Sequence, residues 1–545
     1  TSLTSSYAGA TSIDLSWTAS ISSNISKYLI YRSTSANATT LLDSTSGTAT
    51  YTSTGLTHGL KYYYRVKAVN SDDIRSDYSN ETSTLLATRI NVPTDYSSIQ
   101  AGLTAAGTND TVLVQPGTYT ENIFWPETNG IKLISAGDSS NTIIDGGGVS
   151  SVIYMNPQSA TIDTTTLIKG FKITNGGNTD ISSGGGFFIK NAGLNILDCS
   201  IDNNISNEKG GGIFVGQSSL NIYNSNIINN QSVFQSGYYN GGGGIHIACS
   251  SVKLIGVAVD NNRAENHRAG GGIFCSEGES PNQCESNLTI INTSISNNYA
   301  GDAAGGLFIG NTTNTIFTDV DINGNTAGIA GALYLHSLNG QRSIKFNGII
   351  NIRNNVAENG GGIITHGTSL IGNINIINNT ATNFGGAIKT KGGDVNIKHV
   401  KIIGNTALSG GAIGVGDMYY YGVKIDSSII ASNISSDGST VSANENNKSI
   451  DILNSYIINN SSSNGGILNA SGNGTLNIDN STLYNNSSLD SYKGIILSSG
   501  SYLNMNNTNI FNDGNSVQNN ESSNILAALN NYWGDVSGPY HPSQN

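Results

Sequence analysis

From the first residue to about residue 88, short apolar runs alternate with polar ones: IDLSW, YLIYR and YYYRVKAVN each send every second side chain to one face. Period-two alternation marks half-buried strands, and the Gly-, Ser- and Asn-rich stretches between the runs supply turns. No helical period intervenes, so this stretch predicts a small antiparallel sandwich. Beyond Arg89 the pattern changes. Val92-Pro93-Thr94-Asp95-Tyr96 followed by Ile99-Gln100-Ala101-Gly102-Leu103 predicts a short capped helix, with strands at 110–114 and 116–119 after it.

Further on, an I-x-N-N-like phrase recurs. It closes at Asn175, Asn204, Asn230, Asn262, Asn298, Asn325, Asn355, Asn379, Asn405, Asn433, Asn460, Asn486 and Asn512. Those twelve steps cover 337 residues, roughly 28 each, the length of a solenoid coil. A small-residue phrase follows most of them, as in Gly211-Gly212-Ile213, Gly271-Gly272-Ile273 and Gly361-Gly362-Ile363. Residues that recur once per coil stack on themselves about 4.8 Å apart, and identical amides in register can bond from rung to rung. Asn also tolerates the left-handed backbone of a sharp corner, so the closing Asn is expected at the corner itself. The pattern thus predicts an all-β chain: residues 1–88 a β-sandwich, 89–150 a cap with the first rungs, and 151–545 parallel β-helix repeats.

Composition narrows the partners. The net charge is −12 with 11% charged residues, which excludes the clustered Lys and Arg of a nucleic-acid-binding protein. With 67 Gly but 7 Pro and no three-residue period, collagen is excluded too. No run of about 18 apolar residues could span a membrane as a helix. The four cysteines are Cys199, Cys249, Cys275 and Cys284. Cys275 and Cys284 bracket a polar loop that a disulfide could close, two ordinary thiols being the alternative.

Leu15-Ser16-Trp17, Tyr28-Leu29-Ile30-Tyr31-Arg32, Gly55-Leu56-Thr57-His58-Gly59 and the run from Tyr62 to Asn70 resemble a fibronectin type III domain. That resemblance makes Trp17 the core tryptophan and implies a spacer or binding module. The segment from Val92 to Tyr119 looks like the entry into pectin-lyase-like right-handed parallel β-helices, where a short helix covers the first open rung. The Gly-Gly and I-x-N-N phrases are similar to those of chlamydial polymorphic outer-membrane proteins and other bacterial surface β-helices. Asn530-Asn531-Tyr532-Trp533-Gly534-Asp535 resembles a closing motif of secreted β-helix repeat proteins, in which the chain normally continues; a further C-terminal part is therefore expected.

The pectin-lyase-like fold hosts polysaccharide enzymes, so catalytic sets are sought. A glycosidase needs two carboxylates flanking the scissile bond. Asp319 and Asp321 are the best pair, but Asp319 falls in a second polar row with Asn224, Asn292 and Asn454, which favours a ladder role. Asn178-Thr179-Asp180 is similar to a polygalacturonase phrase whose other members are absent, and His366 has no acidic or Arg neighbour in sequence. No zinc spacing or calcium nonapeptide occurs, and no cofactor is expected. The position two after each final Gly reads Phe188, Phe214, His246, Phe274 and Phe308, then Leu333, Ile364, Ile388, Ile413, Leu468 and Ile496. Its neighbours are apolar as well, so this row is expected inside, an exposed interface strip being the alternative. Long units carry Phe234, Tyr238, Tyr239, then Glu277, Glu279 and Glu285, and later Tyr419, Tyr420 and Tyr421, candidate partner- or glycan-contacting residues. The expectation is an extracellular, cell-surface structural or adhesive rod that self-associates or meets other surface proteins. The alternative is a polysaccharide-binding or polysaccharide-degrading protein.

Overall fold

In the computed structural model the described residues are 2–9, 11–178, 183–233, 241–266, 269–276, 284–310, 313–336, 343–416, 422–443, 448–471, 474–489, 496–499, 502–511, 517–519 and 526–532. Two antiparallel sheets form the N-terminal unit. One orders Leu3–Gly9, Ser12–Trp17 and Thr50–Ser53; the other orders Leu41–Thr45, Ile25–Ser33, Lys61–Asn70 and Thr82–Leu85. Lys61–Asn70 alternates buried and exposed positions, as its sequence does. Trp17, Tyr28, Tyr62 and Tyr64 meet between the sheets, with the Trp17 and Tyr28 rings edge to face at 5.3 Å.

The sandwich runs into a right-handed parallel β-helix through a small polar junction. Asp110 is buried there. It accepts from the Thr88 and Gly107 amides and lies 2.7 Å from His58 Nε2. The first strand, Arg89–Val92, pairs in parallel with Thr111–Val114, and the helix Ile99–Ala105 covers them with Ile99 and Leu103. Ser98 caps that helix, and Glu121 accepts from the amides of Ile99 and Gln100, groups with no partner inside the helix. The cap closes an edge that would otherwise invite strand pairing.

Each coil then visits three parallel sheets. A representative one runs Ile213–Gly216 in sheet B, Ser219–Tyr223 and Asn226–Ile228 in sheet A, and Gln231–Ser232 in sheet C. It pairs residue for residue with the next: Ile213 with Ile245, Leu220 with Val252, Ile227 with Val259, Gln231 with Arg263. Among the described residues sheet A has 27 strands against 15 in sheet B, because a left-handed residue such as Asn224, Asn454 or Asn480 divides most of its coils in two. Inward positions make aliphatic columns, for example Ile201, Ile227, Val259, Ile295, Ile322, Ile352, Ile376 and Ile402, all fully buried. Each such side chain contributes about 1.5–3 kcal/mol, but only because the coils above and below cover it.

The amides of Asn204, Asn230, Asn262, Asn298, Asn325, Asn355, Asn379, Asn405, Asn433, Asn460 and Asn486 join without a gap. Each Nδ2 donates to the next Oδ1 at 2.8–3.0 Å. The left-handed residue, however, is the one before: Asn203, Asn229, Asn261, Asn297, Asn354 and Asn378 all have φ near +55°. The ladder Asn therefore stands just inside the corner, where it satisfies buried backbone groups instead of making the bend. No described helix is long and apolar enough to cross a membrane.

Candidate binding face

Sheet B carries the chemistry that distinguishes one stretch of the helix from another. On its inner side lie Ile213, Ile245, Ile273, Leu307, Leu333, Ile363, Ile388 and Ile413, all fully buried. One residue further, pointing outward, Phe124, Tyr154, Phe188, Phe214, His246, Phe274, Phe308 and Tyr334 are register partners. From Tyr154 to Tyr334 the rings lie face to face, 4.8–5.6 Å apart. The row expected inside is thus an outer aromatic ladder. From Phe308 the register passes to Tyr334, not to Leu333, so Leu333, Ile388, Ile413 and Leu468 belong to the inner column; a slip of one residue changes the face. Phe124 is 59% exposed, whereas Phe274 and Phe308 are covered by Ala269, Ala303, Ala304 and Ala330. Stacked ring against ring, the ladder offers edges to solvent and contributes about 0.5–1.5 kcal/mol per pair to the rod.

At Tyr334 the ladder gives way to imidazoles and amines. Ile364 pairs with Tyr334 and Lys389 with Ile364, while His336, His366 and Lys391 take the next outward positions of the same three strands. The Tyr334 hydroxyl lies 2.9 Å from His366 Nε2, and the His336 and His366 rings meet edge to face at 5.0 Å. Lys389 is 9% exposed; its Nζ donates to Asn359 Oδ1 at 3.5 Å and sits 5.7 Å from the Phe384 ring centroid. One amine, two imidazoles and a phenol therefore share the outward positions of three adjacent strands on a chain of net charge −12, with the Lys389 amine turned aside to Asn359. This arrangement suits a carboxylate- or sulfate-bearing ligand, and the Tyr334–His366 contact could pass a proton. Read one rung at a time, His366 had no such neighbours; only pairing the strands brings Tyr334 and His336 to it.

The other candidates separate. Asp321 is held by Arg353 through two contacts of 2.8 Å, while Asp319 sits at the left-handed bend and accepts from the Ile349 amide. Both line a groove of about 500 Å³ with Asn226, Asn292 and Asn351. With one carboxylate neutralised and the other bound to backbone, the pair is poorly placed to act as glycosidase acid and base. The disulfide joins Cys249 to Cys284, with Cα atoms 5.2 Å apart, instead of the expected Cys275 to Cys284. Cys275 falls on the inner column of sheet B, its Sγ 3.6 Å from Thr313 Oγ1, and so faces the interior. Phe234, Tyr238, Tyr239, Tyr419, Tyr420 and Tyr421 lie outside the described residues, as do Thr179, Asp180, Glu277 and Glu279. Among the described residues no three His, Cys, Asp or Glu side chains gather as a metal site.

Residues 1–84 match the family model of the Fibronectin type III domain. The fibronectin type III domain thus accounts for the whole sandwich, with Trp17 in its core as the sequence implied. No curated protein matches the chain. Among solved structures it is similar to the Family 28 exopolygalacturonase of Yersinia enterocolitica (12% identity, 93% of this chain and 98% of that one, TM-score 0.27). It is also similar to pectate lyase PelI of Erwinia chrysanthemi (13% identity, 64% and 90%, TM-score 0.14) and to pectate lyase Pel3 of Pectobacterium carotovorum (14% identity, 67% and 85%, TM-score 0.14).

Proposed function

We propose that this chain is an extracellular polysaccharide-binding protein that grips an acidic glycan across the outer face of sheet B. The observation that carries this reading is the gathering of His336, His366 and Lys391 near Tyr334 on three consecutive rungs. Rungs about 4.8 Å apart set the His336, His366 and Lys391 side chains at a spacing close to that of successive sugars in an extended chain. The Cys249–Cys284 disulfide supports an oxidising, extracellular setting. The fibronectin type III domain then serves as spacer or second contact. Calorimetric titration with polygalacturonate, alginate and a neutral glucan tests the reading. Binding of at least one acidic chain, weakened about tenfold or more by His366→Gln with Lys391→Gln and lost at high salt, is expected; equal binding by the double variant refutes it. Appearance of unsaturated uronate that vanishes in Tyr334→Phe would extend the reading to lyase chemistry.

A structural rod is the second reading. It is favoured by the amide ladder, which runs from Asn204 to Asn486 without interruption.

A further inference from the structure

On the candidate binding face of sheet B the two imidazoles are each other's neighbours. The His336 and His366 rings, half-buried on adjacent rungs, meet with centroids 5.0 Å apart. His336 also lies nearly parallel to the Phe308 and Tyr334 rings, at 6.1 and 5.9 Å, so aromatic faces border it on that side. His366 meets the Tyr334 hydroxyl through Nε2 at 2.9 Å. The strand before, Leu307–Ile309, brings no charged side chain. The strand after brings Lys389, turned to Asn359, and Lys391, one rung beyond His366. From residue 326 to residue 403 the chain holds seven Lys and Arg against two carboxylates, so this stretch is basic within an acidic chain. Both carboxylates are engaged elsewhere: Glu358 accepts from Asn383, and Asp394 from the Gly422 amide.

We infer, resting on the acidic-glycan reading above, that this site takes up its ligand together with a proton, so that pH regulates binding. Two imidazolium rings 5.0 Å apart, with Lys391 a rung further on, repel one another, and the free chain favours the state with one ring neutral. Aromatic walls weaken the screening that water would give. A carboxylate or sulfate laid across the rungs offsets that repulsion with opposite charge. The neutral ring then gains a proton from solvent as the anion arrives, and in the complex both imidazoles donate from both nitrogens. Tyr334 allows the change without loss of a hydrogen bond. Its hydroxyl donates to Nε2 of a neutral His366, and its oxygen accepts from Nε2–H of the imidazolium. The sign follows from linkage. The pair holds more protons in the complex than in the free chain, so affinity is full below the imidazole range and declines as pH rises through it. Lysine stays cationic over that range, so Lys391 sustains a weaker part that does not vary with pH.

Calorimetric titration of the full chain with polygalacturonate and with alginate, in two buffers of different ionisation enthalpy, counts the protons exchanged. Uronate carboxylates stay ionised near neutral pH, so any proton taken up belongs to the protein. Uptake of about 0.5–1 proton per chain near neutral pH is expected, with Kd rising about tenfold between about pH 6 and 8. His336→Gln with His366→Gln should bind more weakly, take up no proton and show a flat Kd over that range. In the free chain, imidazole NMR should show the two rings titrating in separate steps, and His336→Gln should raise the midpoint of His366. His399→Gln, at a bend of sheet A, should change none of these readings. Binding with no proton uptake and a flat Kd overturns the inference and leaves the glycan reading standing. Uptake that survives the double variant overturns it too. No binding of either acidic chain at any pH overturns both.

Discussion

The fibronectin type III domain and the β-helix are both sheet structures with apolar interiors, but they distribute their contacts differently. In the sandwich, Ile30 pairs with Val66, while Leu3 exchanges hydrogen bonds with Asn80 and Ser5 bonds Thr82, so strands from both ends of the domain close one core. In the β-helix each residue pairs with its counterpart one coil away, and the same column is built again at every rung. A core closed by distant strands stands or falls as a unit. A solenoid adds up nearest-neighbour terms and can fail in one place.

The largest expected effect breaks the sandwich. Trp17 is buried against Tyr28, and Trp17→Ala should cost about 3–5 kcal/mol, enough to consume much of a small domain's stability. In calorimetry the transition of the fibronectin type III domain should fall by roughly 15–30 °C while that of the β-helix holds. A fall in both would mean that the Asp110 junction makes them one cooperative unit.

Asn355→Leu should be nearly as costly for the β-helix, but locally. It removes acceptance from the Asn325 amides and donation to Asn379, Ile322 and Arg353 in a fully buried setting. A loss of about 3–5 kcal/mol is expected from the stranded groups. Hydrogen exchange should quicken in the coils of Asn325 and Asn379 and stay slow near Asn230; uniform quickening would contradict nearest-neighbour behaviour.

Smaller again, Cys249→Ser opens a bond that spans 35 residues and should cost about 2–4 kcal/mol. Reductant should therefore lower the β-helix melt and leave the cysteine-free sandwich unchanged. A reductant-insensitive β-helix would count against the bond.

The smallest effect is a titration. Hydrogen bonds from Asn454 and Lys398 hold the Asp426 carboxyl down at about 2. Because this folded value lies below the usual 3.9 or so, the stabilisation is complete above that pH and disappears as pH falls through about 2. A carboxyl-carbon NMR titration should show this low midpoint, and Lys398→Gln should raise it.

The sequence by itself determined the repeat, the sandwich and the identity of the ladder residues. Period, alternation and one Asn per coil are local features, and a rung repeats them often enough to be counted. Trp17 and the helix over residues 99–105 were legible for the same reason. What lay between rungs was not. The left-handed residue proved to be Asn354 where Asn355 was expected, because Asn suits either position and only backbone bonding distinguishes them. Phe188, Phe214 and Phe308 turned outward, since an apolar side chain is compatible with a covered outer face as well as with a core. Cys284 joined Cys249, which the coil path brings to it, while Cys275 faced inward. His366 gained Tyr334 and His336 through strand register alone. Alternation fixes two faces for a strand, but which residues share a face across coils depends on loop lengths that only the tertiary structure adds up.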